Sequence, residues 1–262
     1  MPRFAAKSPQ RIVSLAPNVT SILLGLGAGR ELVGVSKWCK DVANVGHRPT
    51  VGDCWKLDVT RVMRLRPTLI IGSLPFAPQT VAEILKQPVP FLAINPRSLP
   101  DIEADIRTLG RLVGRTSAAE KLILRMQHTF EMVANRARPI RPRPRVYCEA
   151  WPNPRISSPP WVEELVEIAG GKMVVPPGKR ITDEEVARAK PGVIVLAWTA
   201  TGNRAKVSSA LQNHAWRDVP AIKTRRVVVI RDELLNTPGP PLMQGVRELF
   251  RALHPVCKSG AR

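Results

Sequence analysis

The sequence predicts an α/β protein of two similar lobes with mostly parallel sheets, joined by one long connecting helix. Short apolar strands alternate with helices along the 262 residues, as in parallel sheets. Segments before and after the middle of the chain resemble each other, and Thr116 to Arg138 has the apolar periodicity of a long helix. We therefore expect an N-terminal lobe at residues 1–114, the connecting helix at 115–138 and a C-terminal lobe at 139–262.

The connecting helix is predicted from an apolar stripe whose members recur every three or four residues. The stripe consists of Leu122, Ile123, Met126, Phe130, Val133 and Ala134. Ser117 and Glu120 have the spacing of a capping box, which marks the start. Pro139 and the Arg- and Pro-rich run after it cannot continue a helix. A helix of about twenty residues spans ~30 Å, the width of a small domain.

The internal repeat relates two helix–strand units at a constant offset of 124 residues. Residues 61–73 match residues 185–197 at this offset, with a proline and an isoleucine in register. Residues 11–17 resemble residues 145–151, at an offset of 134. Each match alone is also compatible with common α/β sequence patterns. Together, in the same order in both halves, the matches favour two similar lobes.

In the N-terminal lobe, the strands are short runs rich in Val, Ile and Leu that end at Pro, Gly or polar residues. We expect strands at residues 11–15, 32–36, 68–72 and 89–94, and helices at 19–26, 59–65, 79–86 and 101–113. Gly27 and Gly29 end the first helix, and Asp58 is a suitable N-cap for the second.

The C-terminal lobe repeats this alternation. We expect strands at residues 145–150, 192–197 and 226–230, and helices at 161–168, 182–189, 205–215 and 242–253. Gly170 and Gly171 end the first of these helices, and Thr182 caps the second.

The formal net charge of +19 favours contact with polyanions, including nucleic acids and anionic membranes. The basic residues are scattered, however, and only Arg136 to Arg145 forms a run. Its interleaved prolines suit a rigid, solvated linker. Since no RNA-binding aromatic motif, zinc finger or recognition helix accompanies it, we do not expect a specific nucleic-acid partner.

The cysteines, Cys39, Cys54, Cys148 and Cys257, are too few and too scattered for a disulfide framework, and we expect unpaired thiols. The first ten residues contain no apolar signal segment, and no apolar run approaches the length of a membrane span. As written, the chain is expected to be soluble and not exported, unless its true start lies upstream.

Aromatic residues follow several predicted strands, where parallel sheets bind ligands. These residues, together with an indole in the loop before a helix, are Trp38, Phe76, Trp151, Trp198 and Trp55. Indoles gathered between two lobes suit a broad, planar, partly apolar ligand; the alternative is ordinary packing under loops. We assign Trp161 and Trp216 to packing.

Catalytic chemistry has little support in this sequence. The histidines His47, His128, His214 and His254 lack metal-ligand spacing, and no nucleophile elbow or phosphate-binding loop occurs. We interpret Glu149 as a polar pocket contact or a satisfied carboxylate at a strand end. We therefore expect no enzyme activity, no metal site and no cofactor.

Several segments of the sequence resemble those of a known family. The segments RIVSLAPNVTSILLGLGAGRELVGVS, VGDCW and LRPTLII, then EAWPNPRISSPPWVEELVEIAGG and LLNTPGPPLMQGVRELFRALHP, are similar to vitamin B12-binding proteins that serve ABC importers. These belong to a helical-backbone class of solute-binding proteins, which also includes siderophore and haem binders. The resemblance covers residues 10–255 and implies two Rossmann-like lobes with a ligand cleft between them.

The resemblance also implies a binding site. Trp55 matches a family pocket tryptophan, Trp38 a pocket aromatic residue, and Trp151 the aromatic edge of the second lobe. The predicted ligand-binding residues are Trp38, Trp55, Phe76, Trp151, Trp198, Asn236, Pro17 and Asn18. The enterobacterial type carries Trp and Arg where this chain reads Leu234 to Pro238, so those two contacts are missing here.

The resemblance further implies docking onto a permease through one glutamate on each lobe. Glu184 matches one of them, and Thr60 replaces the other. We expect a monomer that binds cobalamin or a related corrinoid in the periplasm or at the cell surface and delivers it to an ABC permease. The alternatives are a ferric siderophore or haem carrier and, from another class, a basic polyanion-binding protein.

Overall fold

The computed structural model describes residues 10–201 and 204–255. The chain forms two compact units. The first comprises the chain up to Asn95 together with Ala104–Leu122, and the second comprises Pro96–Glu103 and the chain from Ile123 onward. Each unit contains a parallel-dominated sheet flanked by helices, which confirms the predicted α/β class.

The first unit contains a four-stranded, fully parallel sheet in the order β2-β1-β3-β4. Its strands are β1 (Ile12–Ser14), β2 (Leu32–Val35), β3 (Leu69–Ser73) and β4 (Phe91–Ile94). Its helices are α1 (Pro17–Gly25), α2 (Val59–Arg64) and α3 (Pro78–Leu85). All seven elements coincide with predicted ones to within a few residues, because apolar runs and turn residues mark them locally.

Two helices follow β4: α4 (Leu99–Leu112) and α5 (Thr116–Ala137). The 22 residues of α5 confirm the predicted long helix. Its buried face includes Leu122, Ile123, Met126 and Val133. No helix in the described ranges is both long and apolar enough to cross a bilayer.

The predicted capping box of α5 is wrong. The helix already begins at Thr116, which places Ser117 inside the first turn. The Glu120 carboxylate instead accepts a hydrogen bond from Arg107 Nε at 3.1 Å.

The second unit contains a five-stranded sheet in the order β6-β5-β8-β9, with β7 also paired to β5. Its strands are β5 (Arg145–Pro152), β6 (Arg155–Ser157), β7 (Lys172–Met173), β8 (Val193–Leu196) and β9 (Val227–Val229). Its helices are α6 (Trp161–Ile168), α7 (Asp183–Ala189), α8 (Val207–Leu211), α9 (Pro220–Lys223), α10 (Glu233–Asn236) and α11 (Leu242–Leu253). Only β6 pairs in antiparallel fashion.

The predicted helix at residues 205–215 is interrupted. It divides into α8 and a 3-10 turn, His214–Trp216, because the Asn213 side chain accepts the Ala215 N–H at 3.0 Å and starts the new turn. Four further elements were not predicted: β6, β7, α9 and α10. They have two to four residues each and are too short to show a periodicity.

The sequence repeat corresponds to a structural repeat. Asp58 caps α2 by accepting the Arg61 N–H at 2.8 Å. Thr182 caps α7 by accepting the Glu185 N–H at 3.2 Å, and the Glu185 carboxylate accepts the Thr182 N–H in return. Both predicted N-caps are thereby confirmed at positions 124 residues apart.

The ends of these two helices are also held alike. The Arg11 guanidinium donates to the Leu65 carbonyl at 2.7 Å, and that of Arg145 donates to the Ala189 carbonyl at 2.6 Å. In each unit, an arginine at the start of the first strand thus satisfies a carbonyl at the end of the equivalent helix, where a cation is favoured.

Candidate ligand-binding site

In the first unit, Asp53 is the centre of the loops that carry Trp38 and Trp55. Its side chain is buried, with the residue 3% exposed. One carboxylate oxygen accepts the Trp38 indole N–H at 3.1 Å and lies 2.7 Å from Lys37 Nζ. Burial alone would raise the pKa of this carboxyl, but hydrogen bonds from Lys37, the Lys56 and Trp55 backbone and the Trp38 indole hold its pKa below the ordinary value.

Trp55 lies at the tip of a tight hairpin and is 61% exposed. The other oxygen of Asp53 accepts the backbone N–H groups of Trp55 and Lys56, both at 2.9 Å. Gly52 has φ +99, and a Cβ there would lie 2.3 Å from the Lys56 carbonyl oxygen. The hairpin therefore requires glycine at this position.

The other predicted residues of the first unit are more enclosed. Phe76 packs over Gly72 and makes an edge-to-face contact with Phe91, with ring centroids 5.6 Å apart. Pro17 and Asn18 form the first turn of α1, directly after β1. Asn18 is buried, and its amide nitrogen has no hydrogen-bond partner among the described residues.

In the second unit, Trp151 lies near the carboxyl end of β5 and is 38% exposed. Its indole N–H donates to the Asn153 carbonyl at 2.8 Å. This bond satisfies the polar edge of the ring within its own turn, so the exposed surface of the side chain is apolar.

Trp198 follows β8 and is fixed by Glu149. The indole N–H donates to one carboxylate oxygen of Glu149 at 2.8 Å. The other oxygen accepts the Tyr147 hydroxyl at 2.8 Å and pairs with Arg155. Glu149 is 1% exposed and satisfied on both oxygens, which confirms its interpretation as a satisfied strand-end carboxylate.

Arg155 extends this buried network. Its guanidinium lies 2.8 Å from Asp183 and 4.3 Å from the centre of the Trp216 ring. Burial opposes the charge of Arg155, but Glu149 and Asp183 raise its pKa. Burial and the neighbouring Glu149 charge also raise the pKa of Tyr147.

The two tryptophans assigned to packing are buried, as predicted. Trp161 donates its indole N–H to the Leu235 carbonyl at 2.8 Å, and Trp216 donates to the Asp183 carbonyl at 3.1 Å.

The loop after β8 is held from a second side by the segment around α10. The Asn236 amide nitrogen donates to the Ala197 carbonyl at 2.8 Å, and Asp232 accepts the Ala200 N–H at 2.9 Å. Asn236, predicted as a ligand contact, thus supports the backbone before Trp198, and Asp232 supports the backbone after it.

The same arrangement of side chains therefore occurs in both units. A buried carboxylate accepts an indole N–H and is paired with a cation: Asp53 with Lys37, and Glu149 with Arg155. Asp53, Lys37 and Arg155 were not predicted from the sequence. The motif that contains Trp55 also contains Asp53, so the only available signal was an acidic residue beside a predicted pocket tryptophan.

Metal-ligating and reactive groups are sparse. No group of three His, Cys, Asp or Glu side chains suited to a metal ion occurs in the described part of the chain. Cys39, Cys54 and Cys148 are unpaired, as expected, and Cys257 lies outside the described residues. Burial and the Asp53 charge raise the pKa of Cys54 to about 11, so its thiol is protonated at neutral pH.

The predicted docking positions occupy equivalent places on α2 and α7. Thr60 and Glu184 are both exposed and are the second residues of their helices. A hydrogen bond to its own backbone N–H, a bond with Thr182 and the charge of Arg188 lower the pKa of Glu184. A separate cavity of ≈ 350 Å³ beside α7 has none of the predicted ligand residues in its lining.

The chain is similar to known solute-binding proteins over most of its length. A family model described as "periplasmic binding protein" matches residues 12–234. An uncharacterised ABC transporter substrate-binding lipoprotein of Bacillus subtilis is 26% identical over 95% of this chain and 81% of its own length. The vitamin B12-binding protein of Pectobacterium carotovorum is 24% identical over 94% of this chain and 88% of its own length.

Solved structures match over nearly the whole chain. A periplasmic haem-binding protein from Pseudomonas aeruginosa has a TM-score of 0.84 at 23% identity, covering 95% of this chain and 94% of that one. The periplasmic vitamin B12-binding protein of Vibrio cholerae has a TM-score of 0.74 at 20% identity, covering 93% and 97%. At such identities these likenesses establish the fold alone.

Proposed function

Because this chain belongs to the periplasmic binding protein family, we propose that it is the solute-binding component of an ABC importer. We propose further that it holds cobalamin or a related corrinoid against its tryptophan-bearing loops, without catalysing a reaction. The observation that carries the proposal is the pair of carboxylate-anchored indoles, Trp38 and Trp198, each beside a more exposed tryptophan, Trp55 or Trp151.

Anchoring the indole N–H groups leaves the apolar faces of the rings available to a ligand. An indole whose N–H is already satisfied offers apolar ring surface without a desolvation penalty for its polar edge. Rings held in place by buried carboxylates also lose little side-chain entropy when a ligand binds. Such rings suit a large planar ligand with apolar faces.

The chemistry of the loops favours a corrinoid over haem. Haem iron in proteins is held by His, Cys, Met or Tyr. Tyr147 is buried against Glu149, Cys54 is a protonated thiol, and His47 precedes Arg48, which bonds the Leu32 carbonyl at the amino end of β2. A cobalamin carries its own axial base, so it requires no such side chain.

Delivery to a permease is part of the proposal. Glu184 is the docking acid of the second lobe, while Thr60 leaves the first lobe without its counterpart. The protein would work outside the cytoplasmic membrane, beside the permease, as the description of the Bacillus subtilis relative as a lipoprotein suggests for that protein.

Titration of the purified protein tests the ligand. Cyanocobalamin, haemin and a ferric siderophore are each added while tryptophan fluorescence and heat are recorded. We expect cyanocobalamin to bind with a Kd below about 1 μM, or about −8 kcal/mol, and more tightly than the other two. Tighter binding of haemin or the siderophore would transfer the assignment to that ligand, and no binding of any of them would refute the chelate proposal.

A further inference from the structure

The amino ends of the strands in the second sheet form one edge of that unit. Arg145 and Lys172 are register partners on β5 and β7. Gly192, just before β8, donates its N–H to the Arg145 carbonyl at 2.8 Å, and Ile194 of β8 bonds the Arg226 carbonyl at 3.0 Å. The starts of β7, β5, β8 and β9 therefore lie side by side.

Cations collect along this edge. Its exposed basic residues, here called the basic edge, are Arg138, Arg143, Arg145, Lys172, Lys190 and Arg225. Within the described ranges, none of the six forms an ion pair with a carboxylate. Asp218 pairs with Arg217 and Lys223, and Glu248 pairs with Arg251. Glu167, on the last turn of α6, is an exposed acid close to this edge.

The backbone under these cations is rigid. The turn from α5 into β5 contains Pro139, Pro142 and Pro144, and Lys172 N–H bonds the Pro144 carbonyl at 2.8 Å. The Arg145 side chain is fixed by the Ala189 carbonyl. Cations on a rigid backbone keep their spacing without a large loss of entropy on binding.

We propose that the basic edge binds the phosphate headgroups of an anionic phospholipid bilayer. Charge complementarity supplies the attraction, since each Lys or Arg near such a surface contributes favourably. Of the exposed indoles, Trp55 belongs to the first unit and Trp151 lies near the carboxyl end of β5. Among its described residues, the basic edge therefore has no exposed indole to serve as a stacking platform for single-stranded nucleic acid.

The position of the basic edge is compatible with ligand binding. Trp151 lies towards the opposite end of β5, a strand of eight residues and thus about 26 Å long. Binding to a bilayer through the amino ends of the strands would leave the loops at their carboxyl ends free. The inference is independent of which ligand the protein carries.

Sedimentation with vesicles tests the proposal. Vesicles of phosphatidylcholine with 30% phosphatidylglycerol, and vesicles of phosphatidylcholine alone, are spun with the intact protein at about 0.1 M salt. We expect binding to the first and not to the second. The triple variant Arg138→Gln, Arg143→Gln, Lys172→Gln should bind the anionic vesicles about 30- to 150-fold more weakly.

A charge-matched variant in the first unit is the control. Arg61→Gln, Arg64→Gln, Lys86→Gln removes the same charge from exposed side chains and should weaken vesicle binding less than about 5-fold. Circular dichroism establishes that both variants fold. An equal loss in both would refute a localised site, and so would equal binding to neutral vesicles. Tighter binding to a DNA duplex than to anionic vesicles would assign the edge to nucleic acid instead.

Discussion

At the scale of the residue, the arrangement that matters is a buried carboxylate holding an indole. Asp53 accepts four hydrogen bonds, from Lys37, Trp38, Trp55 and Lys56. Two of these donors belong to the predicted pocket tryptophans and the other two to their sequence neighbours, so one side chain positions both loops. Glu149 holds Trp198 in the second unit by the same means, which makes the two carboxylates positioning residues.

Asp53→Asn tests this role through its pH dependence. The folded pKa of Asp53 is lowered, so its contribution to stability is fully present above the ordinary carboxyl pKa of about 3.9. This contribution to stability is lost as the pH falls through the lowered pKa of Asp53 in the folded state. Wild type should therefore lose about 1 kcal/mol more unfolding free energy than the variant between about pH 5 and pH 2, measured by urea denaturation.

The control for this prediction is Asp41→Asn, which removes one negative charge from an exposed position of the same unit. Its stability should follow the wild-type pH curve. If the Asp53→Asn curve ran parallel to wild type as well, the bonds to Asp53 would not depend on its charge.

Trp55→Ala and Trp151→Ala test the binding surface. Each removes an exposed ring whose aromatic contacts are worth roughly 0.5–1.5 kcal/mol beyond buried area. We expect each to raise the Kd for cyanocobalamin about 10-fold or more by calorimetry, with little change in thermal stability because the rings are exposed.

Leu85→Ala serves as the matched control, since Leu85 is an exposed apolar side chain of the first unit outside the predicted site. It should leave the Kd unchanged. Wild-type affinity in both tryptophan variants would remove the indoles from the binding surface.

At the scale of the element, the hairpin from Gly52 to Leu57 determines where Trp55 is presented. Its two ends pair as an antiparallel bridge, and Asp53 N–H bonds the Lys56 carbonyl at 3.0 Å. The turn leaves no room for a side chain at Gly52, so this hairpin conformation depends on glycine at that position.

Gly52→Ala should destabilise the protein more than Gly114→Ala. Both glycines have positive φ, but a Cβ at Gly52 would meet the Lys56 carbonyl at 2.3 Å, whereas nothing lies within 4 Å at Gly114. We expect a loss of about 1 kcal/mol at Gly114 from backbone strain and about 2–4 kcal/mol at Gly52 from strain plus displacement of the turn. Thermal and urea denaturation measure both, and equal losses would mean that the hairpin adapts freely.

At the scale of the whole molecule, the two units share a plan. Each has an Asp or Thr cap on its equivalent helix, an arginine on that helix's last carbonyls and a carboxylate-anchored indole. The two units differ at one equivalent position, the second residue of the helix, which is Thr60 in α2 and Glu184 in α7.

Glu184→Gln should impair delivery without impairing binding. The Glu184 side chain is exposed on α7 and is not one of the proposed ligand contacts, so the Kd for cyanocobalamin should stay unchanged. Uptake of cobalamin by the reconstituted permease should fall several-fold, because the variant removes the negative charge proposed to dock onto the permease. Thr60→Glu, which restores the second charge, should raise uptake.

Glu131→Gln is the control, as it removes an exposed carboxylate from α5. It should alter neither affinity nor uptake. A Glu184→Gln variant that delivers its ligand at the wild-type rate would refute the docking role.

Much of the fold could be predicted from local pattern. Strands such as β3 and β8 are continuous apolar runs, and Asp58 and Thr182 cap the helices where the sequence indicated. The errors lie where local signals are weak or compete. Asn213 starts a new turn inside a predicted helix, and strands as short as β7 have no readable period.

The sequence by itself determined the α/β class, the repeat and the tryptophans at the strand ends, because apolar periodicity, turn residues and residue identity are local properties of a chain. Only the tertiary structure identified Asp53, Glu149 and Arg155 as the groups that hold the indoles, and only it aligned Arg145, Lys172 and Lys190 along one edge. Those arrangements join residues that are distant in sequence, such as Glu149 and Trp198, and strand pairing creates the proximity on which their hydrogen bonds and charges depend.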